Sequence, residues 1–206
     1  MRIGIIGSGH IGATVGRHLI KAGHDVKFAA RDLDNLLPLA AELGSHASTG
    51  SPREAASFGE VVIFATPYGA WPALGRDLAA LLSGKIVVDA ANPYPQRDGD
   101  MARRALDGGS GLFTAGYLPG ARLVKAFNTL PWKILDNEGG TGLAMAIAGD
   151  DEVAVQTVAR LVRDTGFEPV IAGPLSEARR LDPGAPAYAK SLSPQELRLA
   201  LAKAAV

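Results

Sequence analysis

The sequence predicts an α/β protein, built as a doubly wound and mainly parallel sheet with a short C-terminal helical tail. The first observation is that strand-length apolar runs alternate with helical segments along the first 92 residues. This pattern produces a parallel sheet with helices on both faces. The second is that the opening strand runs directly into the glycine-rich string Gly7-Ser8-Gly9-His10-Ile11-Gly12. Together they indicate a Rossmann fold that binds NAD or NADP.

The first 92 residues are predicted to form five strands with four helices between them. Strands covered on both faces are continuous apolar runs, and such runs fall at 2–6, 26–30, 60–66 (EVVIFAT) and 85–92 (KIVVDAAN). Residues 45–49 are a weaker candidate for a further strand between the second and third of these. Helical spacing and glycine stops place helices at 11–22, at 34–43, after residue 51 and at 71–84. Ser51-Pro52-Arg53-Glu54 is typical of a helix start, because Ser caps, Pro suits the first turn and Glu the third position.

Three further strands are predicted in the second half, in ARLVKAF (121–127), GLAMAIAG (142–149) and EPVIAG (168–173). Residues 93–111 are rich in Pro, Gly, Asp and Arg and predict a loop with a short helix at 100–106. An amphipathic helix is expected at 151–164 and a last helix at about 193–204. We therefore predict a nucleotide-binding domain over 1–173 and a helical extension over 174–206.

The composition excludes several classes of partner and of catalytic site. The net charge is zero and the pI about 6.9, which argues against nucleic acid or an anionic membrane as a partner. Cysteine is absent, so disulfides, thiolate nucleophiles and zinc–thiolate sites are excluded, and the four histidines suggest no metal cluster. The first apolar run is too short for a signal peptide. We expect a cytoplasmic protein.

Each glycine of the string is expected to have its own structural role. Gly7 permits the tight turn after the first strand, Gly9 lets the backbone approach the pyrophosphate, and Gly12 lets the helix pack on the strand. The helix N-terminus then faces the phosphates. We expect the whole string, with Ser8, His10 and Ile11, to bind the dinucleotide.

The end of the second strand predicts which dinucleotide is bound. An acidic residue there accepts hydrogen bonds from the ribose 2′-OH of NAD, whereas arginine attracts the 2′-phosphate of NADP. The chain has Ala29-Ala30-Arg31 at this place, which predicts NADP. If the strand runs one residue further, Asp32 takes the acidic position and NAD is favoured instead.

Polar residues follow three strands of the predicted sheet. They are Thr66-Pro67 with Ala65, Asn92-Pro93, and Asn128-Thr129. Open α/β sheets bind ligands at the carboxyl ends of their strands, so these residues are expected to border the cofactor. Lys125 has apolar neighbours and is interpreted as a sheet-edge or snorkelling lysine.

Six segments, in this order, resemble the coenzyme F420-dependent family of NADP oxidoreductases. They are GSGHIG, AGHDV…AARD, ATPYGAWPAL, KIVVDAANP, LVKAFNTLP and AGPLSEARRL. The resemblance covers roughly residues 2–182. The cytosolic reductase domain of six-transmembrane ferric reductases is similar, and so is the Rossmann domain of pyrroline-5-carboxylate reductases.

The resemblance implies roles for particular residues. The string from Ser8 to Gly12 would hold the pyrophosphate, Arg31 the 2′-phosphate, and Thr66 and Pro67 the ribose and nicotinamide side. Asn128 to Pro131 would lie near the nicotinamide. The catalytic candidates are Asn92, Asn128, Thr129 and Pro131. The chain departs from the family's usual Ser, Lys and His at Ala30, Asn35 and Asn128.

The expected activity is hydride transfer between NADP(H) and a deazaflavin or flavin-type acceptor, which depends on positioning more than on acid–base groups. Two alternatives stay open. One is a β-hydroxyacid or imine dehydrogenase, and the other is a non-catalytic NADP(H)-binding sensor or partner subunit. The apolar tail LRLALAKAAV and the short chain predict a homodimer whose C-terminal parts complete the pocket.

Overall fold

The computed structural model describes residues 1–30 and 36–203. Eight strands form one sheet in the order β3-β2-β1-β4-β5-β6-β7-β8. The strands are β1 (Arg2–Ile6), β2 (Asp25–Ala29), β3 (Ala47–Gly50), β4 (Val61–Phe64), β5 (Ile86–Asp89), β6 (Arg122–Lys125), β7 (Ala144–Gly149) and β8 (Glu168–Gly173). This is the predicted doubly wound α/β fold.

Helices cover both faces of the sheet. They are α1 (His10–Lys21), α2 (Leu37–Leu43), α3 (Pro52–Phe58), α4 (Trp71–Leu82), α5 (Pro95–Gly108), α6 (Ser110–Ala115), α7 (Trp132–Asn137), α8 (Glu152–Asp164) and α9 (Pro194–Lys203). Each face has its own buried apolar cluster. One contains Ile5 and Val88, and the other contains Val62 and Val87.

The sheet is parallel everywhere except between β6 and β7, which pair antiparallel through Val124–Gly149 and Lys125–Ala148. The strand order reverses beside β1, where β2 and β3 lie on one side and β4 and β5 on the other. In such sheets the crevice at this switch point binds ligands.

The segment 93–111 is mostly helical rather than a loop, although the short helix predicted at 100–106 lies within α5. Two helices, α5 and α6, occupy most of the segment. Pro at the first helical turn starts α5, Gly99 interrupts it with φ +61°, and Ala102 and Ala105 are fully buried. The many polar residues of this segment lie on the outer side of an amphipathic helix, which concealed it. The short helix α7 and the 3₁₀ helix Leu175–Leu181 were also not predicted.

The C-terminal helix α9 packs against β7 and β8 of its own chain. Leu197 and Leu201 are buried there, whereas Leu199 is exposed. These two leucines are therefore covered by their own chain, and the apolar tail no longer supports a homodimer. The homodimer stays a prediction. Within residues 1–30 and 36–203, no helix combines the length and apolar character needed to cross a membrane.

Candidate active site

A cavity of about 580 Å³ opens at the carboxyl ends of the central strands. It joins the glycine string to the segments that follow β4, β5 and β6. Its lining residues are Gly9, His10, Ile11, Ala65, Thr66, Pro67, Ala90, Ala91, Asn92, Tyr94, Arg97, Asn128, Leu130, Pro131, Trp132, Tyr188 and Ala189. The structure thus brings together residues from five separate parts of the chain.

The three glycines of the string meet different constraints. Gly7 has φ +99°, which favours glycine, and donates its N–H to Ala29 O at 2.8 Å. A Cβ at Gly12 would lie 1.9 Å from Gly7 O, so this position allows the close packing of α1 on the turn. Gly9 caps α1 and a Cβ there would meet no atom within 4 Å. Only Gly9 therefore leaves open space in front of the helix N-terminus.

His10 stacks on Trp132, with ring centroids 4.4 Å apart and planes 11° from parallel. The contact connects the first turn of α1 to the start of α7. Sequence reasoning assigned no role to Trp132, because it follows the AFNTLP motif and α7 was not predicted. Its position directly after Pro131 was the available signal.

Asn92 and Asn128 both line the cavity and hydrogen-bond to each other. The Asn92 Nδ2 donates to Asn128 O at 2.9 Å, and the Asn128 Nδ2 donates to Asn92 Oδ1 at 3.1 Å and to Leu181 O at 2.8 Å. Within the described part of the chain, the buried atoms Asn128 Oδ1 and Thr66 Oγ1 have no hydrogen-bond partner. Buried polar atoms are rarely left unpaired, so both fit a polar ligand.

Lys125 is not a sheet-edge lysine, as the sequence had suggested. It is fully buried between β5 and β7, and its Nζ lies 2.9 Å from Asp89 Oδ2, which is also fully buried. The two residues are direct partners in the register of β5 and β6. The Lys125 Nζ also donates to Ala91 O at 2.6 Å, and Ala91 N donates to Asp89 Oδ1 at 2.9 Å. This ion pair therefore fixes the peptide that precedes Asn92.

Asp98 organises the segment after Asn92. Its carboxylate accepts from the N–H groups of Gly69 and Tyr94 and from the Arg97 guanidinium. Burial alone would raise the pKa of Asp98, but these hydrogen bonds outweigh burial and lower the pKa below its ordinary value. Asp98 is therefore held ionised as the anchor of Tyr94 and Arg97.

Tyr94 and Tyr188 meet at the cavity and hydrogen-bond through their hydroxyl groups. The Arg97 guanidinium lies 5.0 Å from the centre of the Tyr94 ring. Burial raises the pKa of Tyr188, and the hydrogen bond with Tyr94 raises it further. Sequence reasoning missed both tyrosines, since they stand in segments read as loop or as a Pro/Gly-rich link.

Most residues singled out from the sequence lie at this cavity. Gly9, His10, Ile11, Ala65, Thr66, Pro67, Asn92, Asn128 and Pro131 line it. Gly7, Ser8 and Gly12 belong to the turn beside it, and Thr129 is buried, with its carbonyl accepting from Ala189 N. Arg31 and Asp32 lie outside the described residues. The roles of all of them stay predictions. No group of three potential metal ligands occurs among the described residues.

Comparison with known proteins gives one family model, described as NADP oxidoreductase coenzyme F420-dependent, which matches residues 2–93. The hypothetical protein SMa0349 of Sinorhizobium meliloti is 30% identical, with a TM-score of 0.81 over 94% of this chain and 95% of that one. A protein of Arthrobacter sp. FB24, provisionally described as an F420-dependent NADP-reductase, is 25% identical, with a TM-score of 0.69 over 87% of both chains.

This chain spans about a third of the length of the curated metalloreductases that it matches. Metalloreductase STEAP3 of Rattus norvegicus is 29% identical over 88% of this chain, which spans 36% of that protein. A pyrroline-5-carboxylate reductase of Coxiella burnetii, at 17% identity, has a TM-score of 0.62 over 82% of this chain and 57% of that one. That likeness shows the fold alone.

Proposed function

The chain belongs to the coenzyme F420-dependent family of NADP oxidoreductases, and we propose that it transfers hydride between NADP(H) and a deazaflavin or flavin-type acceptor. The observation that carries this proposal is a single cavity that joins a glycine-capped helix N-terminus to paired amides and aromatic walls. The first part suits a pyrophosphate, and the rest suits two stacked planar rings.

The residues present fit NADP(H). The open space before Gly9 admits phosphate oxygens to the first N–H groups of α1. The unpaired Thr66 Oγ1 and Asn128 Oδ1 offer partners for the carboxamide of a nicotinamide. When bound, the nicotinamide supplies or accepts the hydride. The protein binds and orients the rings, because the barrier to hydride transfer depends on the geometry of donor and acceptor.

NADP rather than NAD is proposed from Arg31. A charge-assisted hydrogen bond contributes about 1.5–3 kcal/mol, which is roughly 10- to 150-fold in affinity. Because Asn35 replaces the lysine that is usual in the family, the lower end is expected. Arg31→Ala should weaken NADPH binding by that factor and leave NADH nearly unchanged, which two fluorescence titrations would measure. Equal binding of NADH and NADPH by the unaltered protein would instead direct attention to Asp32.

The acceptor is tested by NADPH oxidation with flavins, deazaflavin and ferric chelates as acceptors. Turnover with a flavin or deazaflavin supports the proposed reaction. A protein that binds NADPH tightly and oxidises it with none of these acceptors would be a sensor or partner subunit, and the reductase proposal would be wrong.

A further inference from the structure

Residues 181–189, here called the C-terminal strap, are hydrogen-bonded at both ends to the segment that follows β6 and at one end also to α6. At one end, Ser110 donates its N–H to Asp182 Oδ2 at 3.0 Å and its hydroxyl to Asp182 Oδ1. The Leu181 carbonyl accepts from Asn128 Nδ2 at 2.8 Å. At the other end, Ala189 N donates to Thr129 O at 2.8 Å. The two ends of the strap are thus bonded to adjacent residues, Asn128 and Thr129.

This fastening places Tyr188 opposite Tyr94. Tyr94 is itself held by its N–H bond to Asp98 and by Arg97 over its ring. The two hydroxyl groups hydrogen-bond across the cavity. One wall of the cavity therefore comes from the segment after β5 and the other from the strap, and both belong to one chain.

The pair has a defined hydrogen-bonding capacity. Each tyrosine hydroxyl carries one proton, and one of the two is used between Tyr94 and Tyr188, so the pair retains one free donor. Both hydroxyl groups are neutral at physiological pH, and burial moves the pKa of Tyr188 still further above its ordinary value. Among the described lining residues no side chain is a carboxylate, and Arg97 is the charged one. Such walls suit a planar ring that bears carbonyl oxygens and no positive charge.

We propose that the C-terminal strap completes the acceptor site within one chain, and that Tyr188 is a specificity-determining residue, because its hydroxyl pairs with that of Tyr94 and leaves the pair one proton for a carbonyl oxygen of the acceptor ring. The inference rests on the proposed function, because it assumes that NADP(H) occupies the glycine-string side of the cavity. It removes the need for a partner subunit to close the site.

The test measures riboflavin binding to the NADP⁺-loaded protein by quenching of riboflavin fluorescence. Riboflavin is uncharged, planar and carries two ring carbonyl groups. Tyr188→Phe removes one neutral hydrogen bond and should weaken riboflavin binding roughly 2- to 13-fold. Tyr188→Ala also removes the ring wall and should weaken it more. The dissociation constant of NADPH and the thermal midpoint of Tyr188→Phe should stay at their unaltered values.

Tyr117→Phe is the matched control, because the half-buried Tyr117 packs edge-on to Phe113 away from the cavity. It should change neither affinity. Failure of the unaltered protein to bind NADPH would overturn the proposed function itself. Normal NADPH binding with no riboflavin binding, or with riboflavin binding that is equal in the unaltered protein and both Tyr188 variants, would overturn this inference alone. An equal loss of both affinities would mean that Tyr188 is merely structural.

Discussion

The two halves of the sheet differ in the chemistry of their buried residues. In the first half, β1 and β4 bury apolar side chains such as Ile5 and Ile63, and the strands from β3 to β4 all run parallel to their neighbours. From β5 onwards a fully buried ion pair, Asp89–Lys125, lies between strands, and β7 runs antiparallel to β6. The family model ends at residue 93. Under the proposed function, the first half would carry the cofactor site and the second half would shape the acceptor side.

A polar junction joins the ends of β5 and β6. Asp89 comes from β5 and Lys125 from β6, and the Asn92–Asn128 pair crosses the same two strand ends three residues later. Removing two charges from water is costly unless further hydrogen bonds satisfy them. Here Thr114 and Ala91 supply those bonds. This polar junction therefore fixes the end of β5 against the end of β6, next to the Asn92–Asn128 pair.

The largest expected effect tests the cofactor half. Gly9→Val places a side chain in the space proposed for the pyrophosphate, at a position where a Cβ meets no protein atom within 4 Å. Losing two charge-assisted bonds costs about 3–6 kcal/mol of binding, so NADPH affinity should fall at least roughly 100-fold. NADPH titration with circular dichroism as the folding check measures this. Unchanged affinity would contradict the glycine-string assignment.

Gly12→Ala is the matched substitution in the same string. Its Cβ would lie 1.9 Å from Gly7 O, a backbone atom, so the fold must shift. We expect a lowered midpoint of unfolding for Gly12→Ala and a nearly unchanged one for Gly9→Val. The reverse order would show that the string is mainly a folding element.

The next largest effect tests the junction. Lys125→Met leaves Asp89 as an uncompensated buried charge, which costs about 3–5 kcal/mol in the free energy of unfolding. The double variant Asp89→Asn/Lys125→Met removes both charges while the amide oxygen can still accept from Ala91 N–H. We expect it to be more stable than Lys125→Met. Urea unfolding of the three proteins gives the values, and a single-variant cost below about 1 kcal/mol would show that the pair contributes little.

The contrast between the halves also explains what the sequence could predict. In the first half, apolar runs and glycine stops reveal strands directly, because a buried parallel strand has no polar face. In the second half, α5 is hidden by its exposed polar residues, and Lys125 looks like an edge residue because its partner Asp89 is 36 positions away. Tyr94 and Tyr188 meet across 94 positions. Such long-range polar pairs leave no local pattern to read.

The smallest expected effect compares one motif in both halves. Ser51-Pro52-Arg53-Glu54 starts α3 and Ser193-Pro194-Gln195-Glu196 starts α9, and in each the serine and glutamate bond reciprocally. α3 lies tightly on β1, where a Cβ at Gly4 would be 2.2 Å from Ala55 O. α9 lies at the end of the sheet, on β7 and β8. The same cap therefore supports a core helix in one case and a peripheral helix in the other.

Ser51→Ala should lower the global free energy of unfolding by about 1 kcal/mol, the usual value of an N-cap. Ser193→Ala should act mainly through local opening, seen as faster amide exchange in α9 with a smaller global loss. Hydrogen bonds from Ser51 and Ser193 lower the pKa of Glu54 and Glu196. A lowered folded-state pKa stabilises the fold above the ordinary carboxyl pKa, and this is lost as pH falls. The stability lost in Ser51→Ala and in Ser193→Ala should therefore be smaller at acidic pH than at neutral pH. Equal global losses for the two serines would show that α9 unfolds together with the rest of the sheet.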